Sequence, residues 1–127
     1  MKNLQPTPYV YRGNVISNYD GDTLIANLDL GLGIKVRAVC RLLGLDAPEM
    51  RGGSEASKAA AKASKQRLQE LLSAPDNGLV FHSTEKPDKY GRLLVNIWKD
   101  GACINDVMLL EGHARSYDGG TKQTFED

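Results

Sequence analysis

From Tyr9 to Leu45 apolar and polar residues alternate along most of the chain. In YVYRGNVIS, Tyr9, Tyr11, Val15 and Ile16 supply aromatic and β-branched side chains, which suit a pleated, half-buried surface. TLIANLDL resumes the alternation after Asp20-Gly21-Asp22, a hairpin-turn signal in which the glycine is expected to take a positive φ. Gly31-Leu32-Gly33 marks the next turn, and IKVRAVCRLLGL reads as one long third strand. Alternation puts Val36, Ala38, Cys40 and Leu42 on one of its faces and Lys35, Arg37, Val39 and Arg41 on the other. Three consecutive strands predict a meander.

At Ser54 the period becomes helical. SEASKAAAKASKQRLQELLS, Ser54 to Ser73, predicts a helix with Ser54 as N-cap and Glu55 in its first turn. Ala56, Ala60, Ala63, Arg67 and Leu71 mark its stripe, widened by Leu68 and Leu72. APDNG, Ala74 to Gly78, ends it. LVFHSTEK and RLLVNIWK read as two more strands joined by the turn-rich PDKYG. Asp100-Gly101 opens a second helix, Cys103 to Leu110, stopped by Gly112. YDGGTKQTFED is expected to be a loosely held polar tail. The order β-β-β-α-β-β-α suits an α+β, mainly β, five-stranded Greek-key barrel of the OB type. One helix lies between strands 3 and 4 and a second after strand 5. With 127 residues, one domain over 1–127 is expected, its motifs within about 9–117 and residues 118–127 as tail.

Composition narrows the chemistry. Lys+Arg and Asp+Glu are both 16, so no general positive field draws in nucleic acid, and a phosphate site must be a local cluster of cations. No apolar run approaches the ~18 residues of a membrane span. The N-terminal stretch lacks the apolar core of a secretory signal. A cytoplasmic protein without membrane association is expected. Cys40 and Cys103 form no CxxC and read as free thiols. His82 and His113 are isolated, which leaves no zinc spacing.

Three charged segments remain, each ordinary by itself. Asp20-Gly21-Asp22-Thr23 is a hairpin turn; an EF-hand loop beginning at Asp20 fails, because its twelfth position is Gly31. RLLGLDAPE, Arg41 to Glu49, sets a cation and two acids round a corner where Pro48 fixes φ and biases Ala47 toward an extended backbone. In EKPDKYGRL, Lys86, Lys89 and Arg92 surround Tyr90 and Gly91, as a hairpin loop or a phosphate cradle. Together they offer two aspartates for a hard divalent cation, a spare glutamate to take a proton from water, and two guanidiniums for a phosphodiester.

DGDT, RLLGLDAPE and DKYGR resemble, in order and spacing, the signature segments of the staphylococcal nuclease-like (thermonuclease) family, and the similarity runs from about Tyr9 to Tyr117. The resemblance implies an OB-type barrel and a Ca²⁺-dependent nuclease acting on DNA and RNA, with single-stranded or frayed regions preferred. Cleavage of the P–O5′ bond would leave 3′-phosphate ends. Asp22 and Asp46 would ligate Ca²⁺ through carboxylates and Ala47 through its carbonyl, at a position where the family often has Thr. Arg41 and Arg92 would grip the scissile phosphate, and Glu49 would act as general base. Lys89 and Tyr90 would contact an adjacent terminal phosphate, and Tyr117 a base or phosphate. Asp20 fits a turn residue better than a direct ligand. The family archetype is basic and secreted and has a further C-terminal helix; this chain is neutral, with ten residues after Tyr117. The competing expectation is a catalytically inactive OB-fold module that binds nucleic acid or protein, but such modules lose the charged set kept here. A monomer with no obligate protein partner is expected.

Overall fold

In the computed structural model residues 9–49, 53–73 and 78–117 are described. The chain order is β1 (Val10–Asn18), β2 (Thr23–Gly31), β3 (Ile34–Leu42), β4 (Leu45–Asp46), α1 (Glu55–Leu72), β5 (Leu79–Ser83), β6 (Leu93–Lys99), β7 (Ala102–Cys103), α2 (Ile104–Leu110) and β8 (Arg115–Ser116). Strands pair in the order β3-β2-β1-β5-β6. A parallel contact from Cys40–Leu93 to Leu42–Val95 closes them into a five-stranded barrel. This is the mainly β, OB-type barrel with two helices that the element order predicts. Leu24, Leu28, Phe81, Val95 and Ile97 fill it, and Leu68 of α1 and Met108 of α2 join the same core. Among the described residues no helix is long and apolar enough to cross a membrane. Cys40, buried, and Cys103, half-buried, are free thiols.

Three local expectations are corrected. The third strand does not run on to Leu45: it ends at Leu42, and Gly44 turns the chain at φ +83°. Leu45 and Asp46 then pair with Ser116 and Arg115. On the face shared with buried Cys40 and Leu42, Val36 is 41% exposed. The cause is that β6 flanks β3 only over Cys40–Leu42, so the β2–β3 hairpin projects beyond the closed part of the barrel. The buried stripe of α1 is Ala61, Ser64, Leu68 and Leu72, while Ala56 and Ala63 are exposed. Large leucines set the helix rotation and small residues sit where the approach is closest. Gly21 is not among the glycines with positive φ. A Cβ there would lie 1.8 Å from Ser64 Oγ and 2.9 Å from Ala47 Cβ, so glycine is needed for space.

Other local signals act as read. Ser54 Oγ accepts the Ser57 N–H at 3.1 Å as a helix cap. Gly112, at φ +77°, ends α2, its N–H bonded to Leu109 O at 3.1 Å. Val15 and Ile16 are adjacent apolar residues because the β1–β2 register shifts between Val15 and Ser17, a bulge that absorbs one residue. The turn at 74–77, Arg51 and the tail 118–127 lie outside the described residues.

Candidate active site

The turn between β1 and β2 is built by its first aspartate. Asp20 Oδ1 accepts the N–H groups of Asp22, at 3.0 Å, and Thr23, at 2.8 Å. This points Asp22 inward, where its Oδ1 accepts the Thr23 hydroxyl at 2.9 Å and its Oδ2 the Ala47 N–H at 2.9 Å. The second bond joins turns 25 residues apart. Arg41, opposite Thr23 in the β2–β3 register, reaches both acids. Its Nη1 lies 3.0 Å from Asp22 Oδ2 and its Nη2 lies 3.2 Å from Asp46 Oδ1. Nη2 also donates to Leu45 O at 3.2 Å. Asp22, Arg41 and Asp46 are all buried.

Asn105 of α2 supports this corner, and no sequence pattern singled it out. Its Nδ2 donates to Leu43 O and Val95 O, both at 3.0 Å, and its Oδ1 accepts the Ile97 N–H at 3.1 Å. A buried amide with three satisfied bonds holds the end of β3 against β6, just ahead of Asp46.

Negative charge exceeds positive in this cluster. Burial, then repulsion and a carboxyl–carboxylate hydrogen bond from Asp22, push the Asp20 carboxyl up to about 7. Burial alone would weaken the Arg41 charge, but Asp22 and Asp46 outweigh it and hold the guanidinium protonated. Two buried carboxylates face one monovalent cation, with a third acid beside them. This is a hard-oxygen donor set with charge left for a divalent ion. Asp22 and Asp46 fit as its carboxylate ligands; among the described residues no cluster of three acids, cysteines or histidines completes such a shell. Backbone carbonyls and water would have to supply the rest.

The β5–β6 loop is organised by Asp88. Its Oδ1 accepts the N–H groups of Tyr90 and Arg92, both at 2.9 Å, and its Oδ2 accepts Arg92 Nε at 2.9 Å. Arg92 Nη2 lies 2.9 Å from the same oxygen. Burial would raise the Asp88 pKa, yet the Arg92 and Tyr90 amides and the Arg92 guanidinium bring it below its ordinary 3.8. The Arg92 Cζ and the Lys89 Nζ lie 5.1 and 5.2 Å from the Tyr90 ring centroid. The sequence signal for Asp88 was the acid four residues before Arg92 with a glycine between.

Residues from the end of β3, the β5–β6 loop and the stretch after β8 meet at one pocket. Arg41, Tyr90, Arg92 and Tyr117 line a cavity of about 440 Å³. Tyr117 is held there by its N–H bond to Gly44 O, at 3.0 Å, and its ring lies 5.7 Å from the Arg41 Cζ. Lys89 and Glu49 are exposed and are not among the wall residues; Glu49 directly follows buried Pro48 on the outgoing side of the corner. Another hollow, about 480 Å³ between β1 and α1, has Lys65 as its charged wall residue. It lacks convergent charge.

Barrel and pocket together define a small OB-type domain with an arginine-lined pocket. Comparison of the sequence with known families assigns it further: a family model described as staphylococcal nuclease homologue matches residues 39–127, and the chain belongs to that family. The match takes in Arg41, Asp46 and the Asp88–Arg92 loop and begins after Asp22. The chain is 32% identical over 75 residues to the SPbeta prophage-derived endonuclease YokF of Bacillus subtilis, covering 59% of this chain and 25% of that protein. It is 32% identical over 75 residues to the endonuclease YncB of the same organism, 59% of this chain and 36% of that protein. An uncharacterized Bacillus anthracis protein is 30% identical over 102 residues, 80% of this chain and 45% of that protein. The chain thus spans less than half the length of each of these relatives.

Proposed function

We propose that this domain is a Ca²⁺-dependent nuclease that hydrolyses DNA and RNA at the P–O5′ bond and leaves 3′-phosphate ends. The observation that carries the reading is the pairing of Arg41 and Arg92, from separate segments, across one pocket, with Asp22 and Asp46 directly behind Arg41. Two endonucleases among the relatives support it. Asp22, Asp46 and the Ala47 carbonyl would hold the cation. The chemistry supplied by bound Ca²⁺ is positive charge for the phosphate oxygens.

The chain's own residues divide the work. Arg92, fixed by Asp88, presents its remaining N–H groups to the scissile phosphate, and Arg41 faces the same group from the strand end. Both stabilise charge that grows on the non-bridging oxygens. Glu49 takes a proton from the attacking water as its oxygen bonds to phosphorus and the P–O5′ bond breaks; the departing O5′ is protonated from solvent. Lys89 and Tyr90 meet a neighbouring terminal phosphate, and the Tyr117 ring stacks on a base. Single-stranded or frayed regions are preferred, because such stacking needs an unpaired base.

Digestion of plasmid DNA and of RNA in Ca²⁺ and in EGTA, with end-group analysis, tests this. Cleavage confined to Ca²⁺ with 3′-phosphate ends is expected. Intact substrate in millimolar Ca²⁺ would overturn the reading.

A further inference from the structure

β3 leads away from the pocket along the outside of the barrel. Arg41, Val39, Arg37 and Lys35 follow one another on its outward face, because side chains alternate along a strand. The cross-strand register sets Ile25, Asn27 and Asp29 of β2 beside the last three of these, with Asn14 and Arg12 of β1 beyond Asn27 and Asp29. Arg12, Asn14, Asn27, Lys35 and Arg37 are exposed. Among the described residues no strand covers the free edge of β3 from Ile34 to Val39. On the paired side of β3 a hollow of about 290 Å³ opens over β1 and β2, with Arg12, Asn14, Asn27, Asp29 and Lys35 in its wall.

The two arginines in these rows, Arg12 and Arg37, differ from three others on the molecule. Arg41, Arg67 and Arg92 each bind a carboxylate. Among the described residues Arg12, Lys35 and Arg37 make no salt bridge or side-chain hydrogen bond. The chain as a whole has net charge +0, so three unpaired cations on one face are not a sample of a generally basic surface. Asp29 is the acid in these rows, and its Oδ1 accepts the Gly31 N–H at 2.8 Å.

Resting on the nuclease reading, we infer that the outward face of β3 is a track for single-stranded polynucleotide leaving the pocket. Every second residue of a strand advances about 6.6 Å, close to the interval between successive phosphates of an extended strand. Arg37 therefore meets the phosphate two nucleotides from the scissile one, and Lys35 meets the next. Val39 and Ile25 form the apolar step between, and Arg12 adds charge at the far end. Cations on an open edge strand also deter pairing with another chain. That effect does not depend on substrate length, whereas the track does.

The test compares wild type with Lys35→Gln/Arg37→Gln on single-stranded oligonucleotides from the dinucleotide upward. For wild type, kcat/KM is expected to climb as the fourth and fifth nucleotides are added. In the double variant the climb is lost, on the order of tenfold, and the salt slope falls by about 1.4, roughly 0.7 for each phosphate contact. Dinucleotide turnover is unchanged. An identical length dependence and salt slope in both proteins overturns the track. If wild type cleaves nothing, the nuclease reading fails on its own, and fluorescence anisotropy of a labelled oligonucleotide decides the track. Weaker binding by the double variant sustains it; equal or absent binding overturns it. Asp29→Asn supplies a second reading should the double variant not fold: tighter binding of long strands supports the track, and unchanged binding overturns it.

Discussion

Asp88 grips Arg92 through both of its carboxylate oxygens: one takes the Arg92 backbone N–H and the other the guanidinium. Side chain and main chain of Arg92 are thus fixed by the same residue. Asp88→Ala would leave the guanidinium free to wander and two loop N–H groups without acceptors. A loss of about 10²-fold in kcat/KM is expected, the scale of an ångström-level misplacement. The melting temperature should move little, since the loop lies outside the barrel core. Steady-state kinetics beside thermal unfolding separates the two effects.

Arg41 serves both the buried acids and the pocket, so its removal should split stability from activity. Arg41→Ala takes away a cation made in the proposed transition state, and a loss on the order of 10³-fold in rate is expected. In metal-free buffer the variant should also lose about 3–5 kcal/mol of stability, because Asp22 and Asp46 are left as uncompensated buried charges. Ca²⁺ should then raise its melting temperature more than it raises that of wild type. Calorimetric titration and thermal unfolding with and without EGTA read this directly.

Gly21 is a steric requirement, and that can be measured. Gly21→Ala presses a methyl group against Ser64 and Ala47; overpacking of this kind costs about 1–3 kcal/mol. Pairing it with Ser64→Ala removes the closest clash, so the double variant should be less destabilised than the sum of the singles. A double-mutant cycle by urea unfolding checks the coupling. Additive effects would show that the turn and α1 do not meet as described.

The strands and helix ends were legible because their signals are local: alternation for β2, a serine cap for α1, a glycine stop for α2. What was not legible depends on distant contacts. β4 and β8 are two residues each, too short to carry a period, and exist because they pair with each other. Ser64 reads as a polar interruption of an alanine helix, yet it is buried with its hydroxyl donating to His113 O at 2.9 Å. Asn105 looks like any polar residue at a helix start until the barrel seam is in place. Within the candidate site the charged residues were legible from type and order. Their dependence on Asp88, Asn105 and Gly21 was not, because each acts through a neighbour that only the fold supplies.

Glu49 is the proposed proton acceptor, and an isosteric change isolates that role. Glu49→Gln keeps size and hydrogen-bonding reach and removes basicity. A fall in kcat with little change in affinity for a nucleotide product is expected, since the loss falls on the chemical step. Near-parental kcat would remove Glu49 from the mechanism.

Asp20 gives a pH signature in the metal-free protein. Its folded pKa of about 7 lies above the ordinary 3.8, so between those values the folded state holds a proton that the unfolded state releases. Stability from this group is therefore full below about 4 and declines as pH rises toward 7. This is opposite to Asp88, whose lowered pKa adds stability that is present above about 4 and lost on acidification. Asp20→Asn keeps an oxygen for the Asp22 and Thr23 N–H groups and removes the titrating proton. In EGTA, urea unfolding should show wild type losing stability between pH 5 and 8 and the variant losing less. Parallel curves for the two proteins would show that Asp20 is ionised throughout, and that the buried turn tolerates both charges.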